Sequence, residues 1–212
     1  YVRAVRPHQW MKNVLIFAPV LGAHAFGPQL LYALAAFVSF SLCASSVYLL
    51  NDLLDLKSDR EHVRKRKRPF ASGRALLAHG VVLAPVLLLA SIAIALFLPP
   101  KFQLVLAGYY ALTLAYSFWL KRKMMVDVIA LACLYGARLF AGGAATSIDL
   151  SRWLEALAIF LFLSLALVKR STELTDRLQA NKGDPAGRGY KLADLPIIEA
   201  MAAASAYTAV LV

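Results

Sequence analysis

Long apolar runs, broken by short and mostly basic stretches, govern what this chain can become. Seven runs can be traced, at about 11–26, 29–50, 76–98, 102–120, 124–145, 153–168 and 193–212. Each reaches or approaches the roughly 17–25 residues that carry an α-helix across a bilayer core. A soluble domain is about 45–50% apolar; this chain is 60% apolar, with a mean hydropathy of +0.64. We therefore expect an all-α, polytopic transmembrane helical bundle with seven spans. No polar linker divides the runs, so residues 1–212 are expected to form a single domain. The first run carries Pro19 and Gly22 and is expected to be broken or tilted, which membrane helices tolerate where neighbours re-satisfy the backbone. The chain opens on "YVRAVRPHQWMKN" and closes on "AYTAVLV" inside an apolar run. A longer parent protein, continuing past the C-terminus, is expected.

The formal net charge is +11. In a soluble protein this would suggest nucleic acid; in a membrane protein it records orientation. With the N-terminus inside and the runs alternating, the inside stretches are 1–12, 51–75, 121–123 and 169–192, and they hold 20 of the 23 Lys and Arg residues. Only Lys101 and Arg152 fall outside, and Arg138 lies within a run. The long polar loops are thus expected to face the cytoplasm, the surrounding partner to be the lipid bilayer, and no nucleic acid to bind. Cys43 and Cys133 sit singly in apolar runs, as small core residues do. No zinc spacing, Walker A or G-x-G-x-x-G motif occurs, so nucleotide hydrolysis is unsupported. Trp10, Trp119 and Trp153 fall at run boundaries, the usual place for interfacial anchors.

The stretch "NDLLDLKSDREHVRKRKRP", 51–69, gathers three aspartates beside seven Lys and Arg. If the second span continues as a helix, Asp52, Asp55 and Asp59 stack at i, i+3 and i+7 within an arc of about 60°. Like charges so placed repel. A hard divalent cation gives a reason for them, since Mg²⁺ takes one or two carboxylates together with substrate phosphates and waters. Asn51 can add an amide oxygen or hold an aspartate in place. The alternative is a solvated helix end in which Asp55 or Asp59 pairs with a basic neighbour.

The pattern N-D-x-x-D-x-x-x-D in "NDLLDLKSD" resembles the first aspartate-rich motif of the UbiA superfamily of intramembrane prenyltransferases. "RPHQWMKN" (6–13), "KRKRPFASG" (65–73) and "VDVIALACLYGARLFAGG" (126–143) are also similar to stretches of that superfamily, most of all to its decaprenyl-phosphate phosphoribosyltransferase branch. The resemblance implies nine spans in a full protein, around a central cavity open to the cytoplasmic side, in a bacterial inner membrane. It implies Mg²⁺ at Asp52, Asp55 and Asp59, and a diphosphate leaving group.

The family's second motif is D-x-x-x-D; here loop 169–192, "KRSTELTDRLQANKGDPAGRGYKL", offers Glu173 and Asp176 instead. On a helix continuing from the sixth run, Lys169, Glu173 and Asp176 share a face. Replacing acids by Lys169 and Arg170 favours direct phosphate contact. That suits phosphoribosyl diphosphate as donor and a polyprenyl phosphate as acceptor. The competing reaction is transfer from an isoprenyl diphosphate to an aromatic acceptor; in both, Mg²⁺ stabilises departing diphosphate. The expected catalytic residues are Asp52, Asp55, Lys169 and Glu173. The expected substrate-binding residues are Lys12, Asn13, Asn51, Lys65, Arg66, Arg68, Arg138, Arg170, Arg188 and Tyr190. Arg138 is included because a charge within a span is costly, and its alternative is pairing with Asp127 or a backbone carbonyl. Tyr116 and Lys121 only loosely resemble a Tyr-then-Lys feature of prenyltransferases. A transporter would place ionisable groups near the midplane, whereas these acids cluster at one surface.

Overall fold

The computed structural model describes residues 2–61, 65–185 and 189–212. Every regular element among them is helical. A short helix α1 (Val2–Val5) leads into a 3-10 segment (Pro7–Phe17) and α2 (Ala18–Gly22). There follow α3 (Pro28–Leu54), α4 (Leu56–Glu61), α5 (Leu77–Ala95), α6 (Pro100–Phe118), α7 (Val126–Thr146), α8 (Arg152–Gln179) and α9 (Leu195–Leu211). The all-α expectation holds. Among the described residues four segments are long and apolar enough to cross a membrane: Pro28–Leu54, Leu77–Ala95, Val126–Thr146 and Leu192–Leu211. They make the chain an integral membrane protein. The runs at 102–120 and 153–168 form α6 and α8, which are not among these four. In α8 charge is the cause, with Arg152 and Glu155 at its start and Lys169, Arg170, Glu173, Asp176 and Arg177 in its C-terminal half. The first run is no continuous α-helix but a 3-10 segment followed by one α-turn, with Pro7 opening the first and Pro19 sitting in the second.

The chain divides into two compact units, residues 1–110 with 138–149, and residues 111–137 with 150–212. In the first unit α3 packs along α5 through small residues. Ser39 Oγ donates to Ser91 O (2.8 Å) and Ser91 Oγ to Ser39 O (2.7 Å), while Ser46 Oγ donates to Ala84 O (2.7 Å). Small residues let membrane helices approach closely, and hydroxyls bonded to carbonyls tie the backbones together. The outward face of α5 shows Val81, Val82, Val86 and Leu89 exposed, as a lipid-facing surface requires. The 3-10 segment lies against α7, where a Cβ on Gly142 would stand 2.2 Å from Ile16 O. Only glycine permits that approach.

In the second unit α8 packs on α9, with Ser164 Oγ donating to Ala202 O (3.0 Å). Val128, Leu131, Leu167, Leu174, Tyr190 and Ile198 build its core. The helical stretch expected beyond the sixth run is present, since α8 runs to Gln179.

Candidate functional site

Two groups of charged side chains stand at helix ends, one in each unit. The first begins where α3 stops. Asp52 is on the last turn of α3 and Asp55 is its C-cap. The helix does not run unbroken to Asp59 as the i, i+3, i+7 ladder supposes; it turns at Asp55 and resumes as α4. Backbone bonds from Asp55 N to Asn51 O (2.9 Å) and from Asp59 N to Asp55 O (2.8 Å) carry the register across the turn. Asp52 and Asp59 are therefore both swung inward, 2% and 1% exposed. Asn51 and Asp55 are half-buried.

Among the described residues, Asp52 and Asp59 pair not with neighbours along the helix but with Arg68 and Arg6. Arg68, beyond the 3-10 turn Lys65–Lys67, reaches back with Nη1 to Asp52 Oδ1 (3.0 Å) and Asp59 Oδ2 (2.6 Å). Arg6 donates from Nη2 to the same Asp52 Oδ1 (2.6 Å), with its guanidinium 5.1 Å from the centre of the Tyr48 ring. Asp52 Oδ2 and Asp59 Oδ1 are buried and, among the described residues, without a hydrogen-bond partner. An orphaned carboxylate oxygen is costly, and two of them on carboxylates joined by one guanidinium nitrogen fit a hard cation whose ligands are oxygens. Among the described residues no three His, Cys, Asp or Glu side chains converge so as to hold a metal ion by themselves.

Nearby in the same unit, Asn13 is buried on the 3-10 segment, donating from Nδ2 to Ser41 Oγ (2.9 Å). Its Oδ1 accepts from Arg138 Nε (2.8 Å). Arg138 is 5% exposed and lies against the Phe40 and Tyr109 rings. Asn13 and the rings take the place foreseen for Asp127 as its partner. Asn13 thus holds Arg138. Lys12 and Arg66 are exposed. Nothing is described of the Lys65 side chain, and Arg188 lies outside the described residues.

The second group joins α7, α8 and the segment before α9. Arg170, 1% exposed, donates to Asp127 and to Glu173 and lies 5.2 Å from the centre of the Tyr190 ring. The Tyr190 hydroxyl donates to Asp127 and accepts from Met125 N (2.8 Å). Met125 has φ 62°, in the left-handed region, which turns its N–H toward Tyr190. Burial, then the hydrogen bond to Asp127, raises the Tyr190 pKa above its ordinary value. Asp127 is fully buried, whereas the Glu173 side chain is 34% exposed. Lys169 and Asp176 are exposed. The loop before α9 is pinned by Asp184 Oδ1, accepting from Leu192 N (2.9 Å), and Asp194 Oδ2, accepting from Lys191 N (2.7 Å).

Sequence reasoning gathered Asp52, Asp59, Arg68, Arg170, Glu173 and Tyr190 into one site; the structure brings the first three together and the last three together. It missed Arg6 as an aspartate partner and Asp127 as the anchor of Arg170. Asp127 carried a signal, being an acid opening an apolar run; Arg6 carried none beyond its place in "RPHQWMKN".

Residues 14–212 match the model of the UbiA prenyltransferase family. The chain is 42% identical over 179 residues to the decaprenyl-phosphate phosphoribosyltransferase of Mycobacterium tuberculosis, covering 82% of this chain and 59% of that protein. It is 36% identical over 211 residues to the nodulation protein NoeC of Azorhizobium caulinodans, covering 99% of this chain and 69% of that one. The chain thus spans only part of the length of the curated relatives it matches. Its fold is that of a UbiA homologue from Archaeoglobus fulgidus solved with DMAPP and Mg²⁺, with a TM-score of 0.75 at 20% identity, over 99% of this chain and 73% of that one. The chain belongs to the UbiA prenyltransferase family.

Proposed function

We propose that the protein is a Mg²⁺-dependent intramembrane transferase that moves phosphoribose from phosphoribosyl diphosphate to a polyprenyl phosphate. The reading takes residues 1–212 as one membrane domain of a nine-span protein. It places the chemistry at the cytoplasmic face of a bacterial inner membrane, where the basic loops lie under the positive-inside rule. The observation that carries it is the Asp52–Asp59 pair. Two buried carboxylates each keep one unpartnered oxygen, while Arg6 and Arg68 stand against the same groups. Donors for a cation and donors for phosphate oxygens thus meet in one place, which is what a metal–diphosphate complex requires.

In this reading Asp52 and Asp59 hold Mg²⁺, with Asp55 and Asn51 beside them, and the ion when bound neutralises charge developing on the departing diphosphate. Arg68 and Arg6 bind its oxygens, and Lys12, Lys65 and Arg66 add positive charge around it. Asn13 holds Arg138 toward the substrate side of α7. The bond from ribose C1 to the diphosphate breaks, and an oxygen of the polyprenyl phosphate bonds to C1. Lys169 and Arg188 serve the phosphates of the second substrate, with Glu173 held in place by Arg170. Support for this donor comes from the relative named as a decaprenyl-phosphate phosphoribosyltransferase and from a second loop with cations where a second aspartate motif would stand.

Isoprenyl transfer to an aromatic acceptor is the second reading. It draws on the half-exposed Glu173 carboxylate and on the archaeal homologue solved with DMAPP and Mg²⁺. The full-length protein in detergent with Mg²⁺ should be offered each radiolabelled donor separately. Label is expected to pass from phosphoribosyl diphosphate to polyprenyl phosphate, and to stop in Asp52→Asn. Label passing only from an isoprenyl diphosphate to an aromatic acid would replace this reading with the second.

A further inference from the structure

The way Arg68 is bound is unlike a stabilising ion pair. A guanidinium that locks a carboxylate uses two nitrogens on two oxygens of one partner. Here a single nitrogen, Nη1, is divided between Asp52 Oδ1 and Asp59 Oδ2 at 3.0 and 2.6 Å. Asp52 Oδ1 accepts from both Arg68 and Arg6, which fills its acceptor sites, while Asp52 Oδ2 and Asp59 Oδ1 have no partner among the described residues. One positive nitrogen bridging two carboxylates occupies the station of a bridging cation, but it leaves half of the acceptors unmet. Arg68 and Arg6 are 26% and 21% exposed, so each has a path out, whereas the aspartates are fixed in the interior.

We propose that Arg68 is an exchangeable counter-cation of Asp52 and Asp59, which holds the pair closed to divalent metal until a diphosphate draws the guanidinium onto its own oxygens. This rests on the reading of Asp52 and Asp59 as metal ligands. Two cations at one carboxylate oxygen repel, so a divalent ion must displace Arg68 or bind weakly. A diphosphate removes the conflict, because its charge gives Arg68 a better partner and brings further oxygens to the metal. Metal and diphosphate then each strengthen the binding of the other by the same factor, as linkage requires. The device keeps the site from filling with metal before substrate arrives.

The test is Mn²⁺ binding to the full chain in detergent, read by the loss of the free-ion electron paramagnetic resonance signal, with no diphosphate present. Arg68→Gln is expected to bind Mn²⁺ about tenfold or more tightly than the wild type, within the range common for coupled sites. Arg68→Lys, which keeps the charge, is expected to stay within about threefold of the wild type on the same grounds. Radiolabelled inorganic diphosphate should be retained more strongly by the wild type when Mn²⁺ is added. Arg68→Gln binding Mn²⁺ no better than the wild type, while Asp52→Asn abolishes binding, would overturn the exchange and leave the metal site standing. Mn²⁺ binding unchanged in an Asp52→Asn, Asp59→Asn double variant would remove the metal site and the exchange together. Should Arg68→Gln not fold, an Arg68→Met protein read in the same assay decides in its place.

Discussion

Replacing Arg170 by methionine should unfold this protein more readily rather than leave it folded and inactive. Arg170 is 1% exposed and Asp127 fully buried, and the guanidinium lies between Asp127, Glu173 and the Tyr190 ring. Methionine approximates the volume of the side chain but leaves the Asp127 carboxylate without its cation. Stranding one member of a buried pair costs about 3–5 kcal/mol. Two features moderate the loss: Asp127 keeps the hydrogen bond from Tyr190, and it sits in the first turn of α7, where an acid is favoured by the helix dipole. The lower part of the range, about 3 kcal/mol, is therefore expected. For a chain of this size that corresponds to a fall in Tm of about 6–12 °C. Removing the second charge as well, in Asp127→Asn with Arg170→Met, should recover part of that loss. A pair taken out together strands nothing, and the amide oxygen that replaces the Asp127 carboxylate still offers Tyr190 an acceptor. Thermal unfolding in detergent, followed by helical circular dichroism for the wild type, both single variants and the double variant, measures this coupling. A single Arg170→Met variant melting with the wild type but devoid of activity would refute the reasoning and make Arg170 a direct phosphate ligand.

Two further perturbations probe other contacts. Gly142→Ala puts a methyl carbon 2.2 Å from Ile16 O and 2.9 Å from Ile16 C; both are backbone, so the segments must part, at a cost of about 1–3 kcal/mol. A Tm lowered in Gly142→Ala but not in Gly108→Ala, where the added carbon meets nothing within 4 Å, is the expected outcome. For Tyr190, burial first and the Asp127 hydrogen bond second place the folded-state pKa above the ordinary value of 10.0. Its neutral hydroxyl therefore contributes stability that is complete below about pH 10 and is lost as the pH rises above it. Tyr190→Phe should flatten the stability profile above about pH 10, as read by chemical unfolding at each pH; an unchanged slope would contradict the placement of the hydroxyl.

The helices were legible because hydropathy dominates their folding. The runs at 29–50, 76–98, 124–145 and 193–212 correspond to α3, α5, α7 and α9 within a few residues. The first run was not, because its backbone obeys a tertiary contact. With Ile16 O pressed to Gly142, a residue far along the chain, the segment from Pro7 adopts 3-10 geometry that no local periodicity announces. The aspartates were legible as a motif, yet their partners were not. Seven basic residues follow Asp52 within 51–69, and spacing favours the nearest of them. The chosen ones are Arg68, across the turn, and Arg6, remote in sequence. For Arg138 the visible acid was Asp127, whereas a buried amide, that of Asn13, accepts from its Nε.

The contrast between the two charged groups explains why position in sequence says so little about role. Both place a fully or nearly fully buried aspartate at a helix end against an arginine. At Asp127 each carboxylate oxygen has a donor, one from Tyr190 and one from Arg170, and the arginine is as buried as the acid. Both oxygens of this carboxylate are met and only Arg170 Nε is left without a partner among the described residues, and the worth of the pair lies in holding α7, α8 and the Tyr190 segment in register. At Asp52 and Asp59 half of the oxygens lack donors and the arginines keep access to solvent. A buried group left unsatisfied raises the energy of the free protein by about 1–3 kcal/mol, and a ligand that satisfies it recovers that energy on binding. The incomplete group is therefore the one suited to take a cation and an anion. Satisfaction of individual oxygen atoms, rather than the count of charges, separates a structural pair from a site.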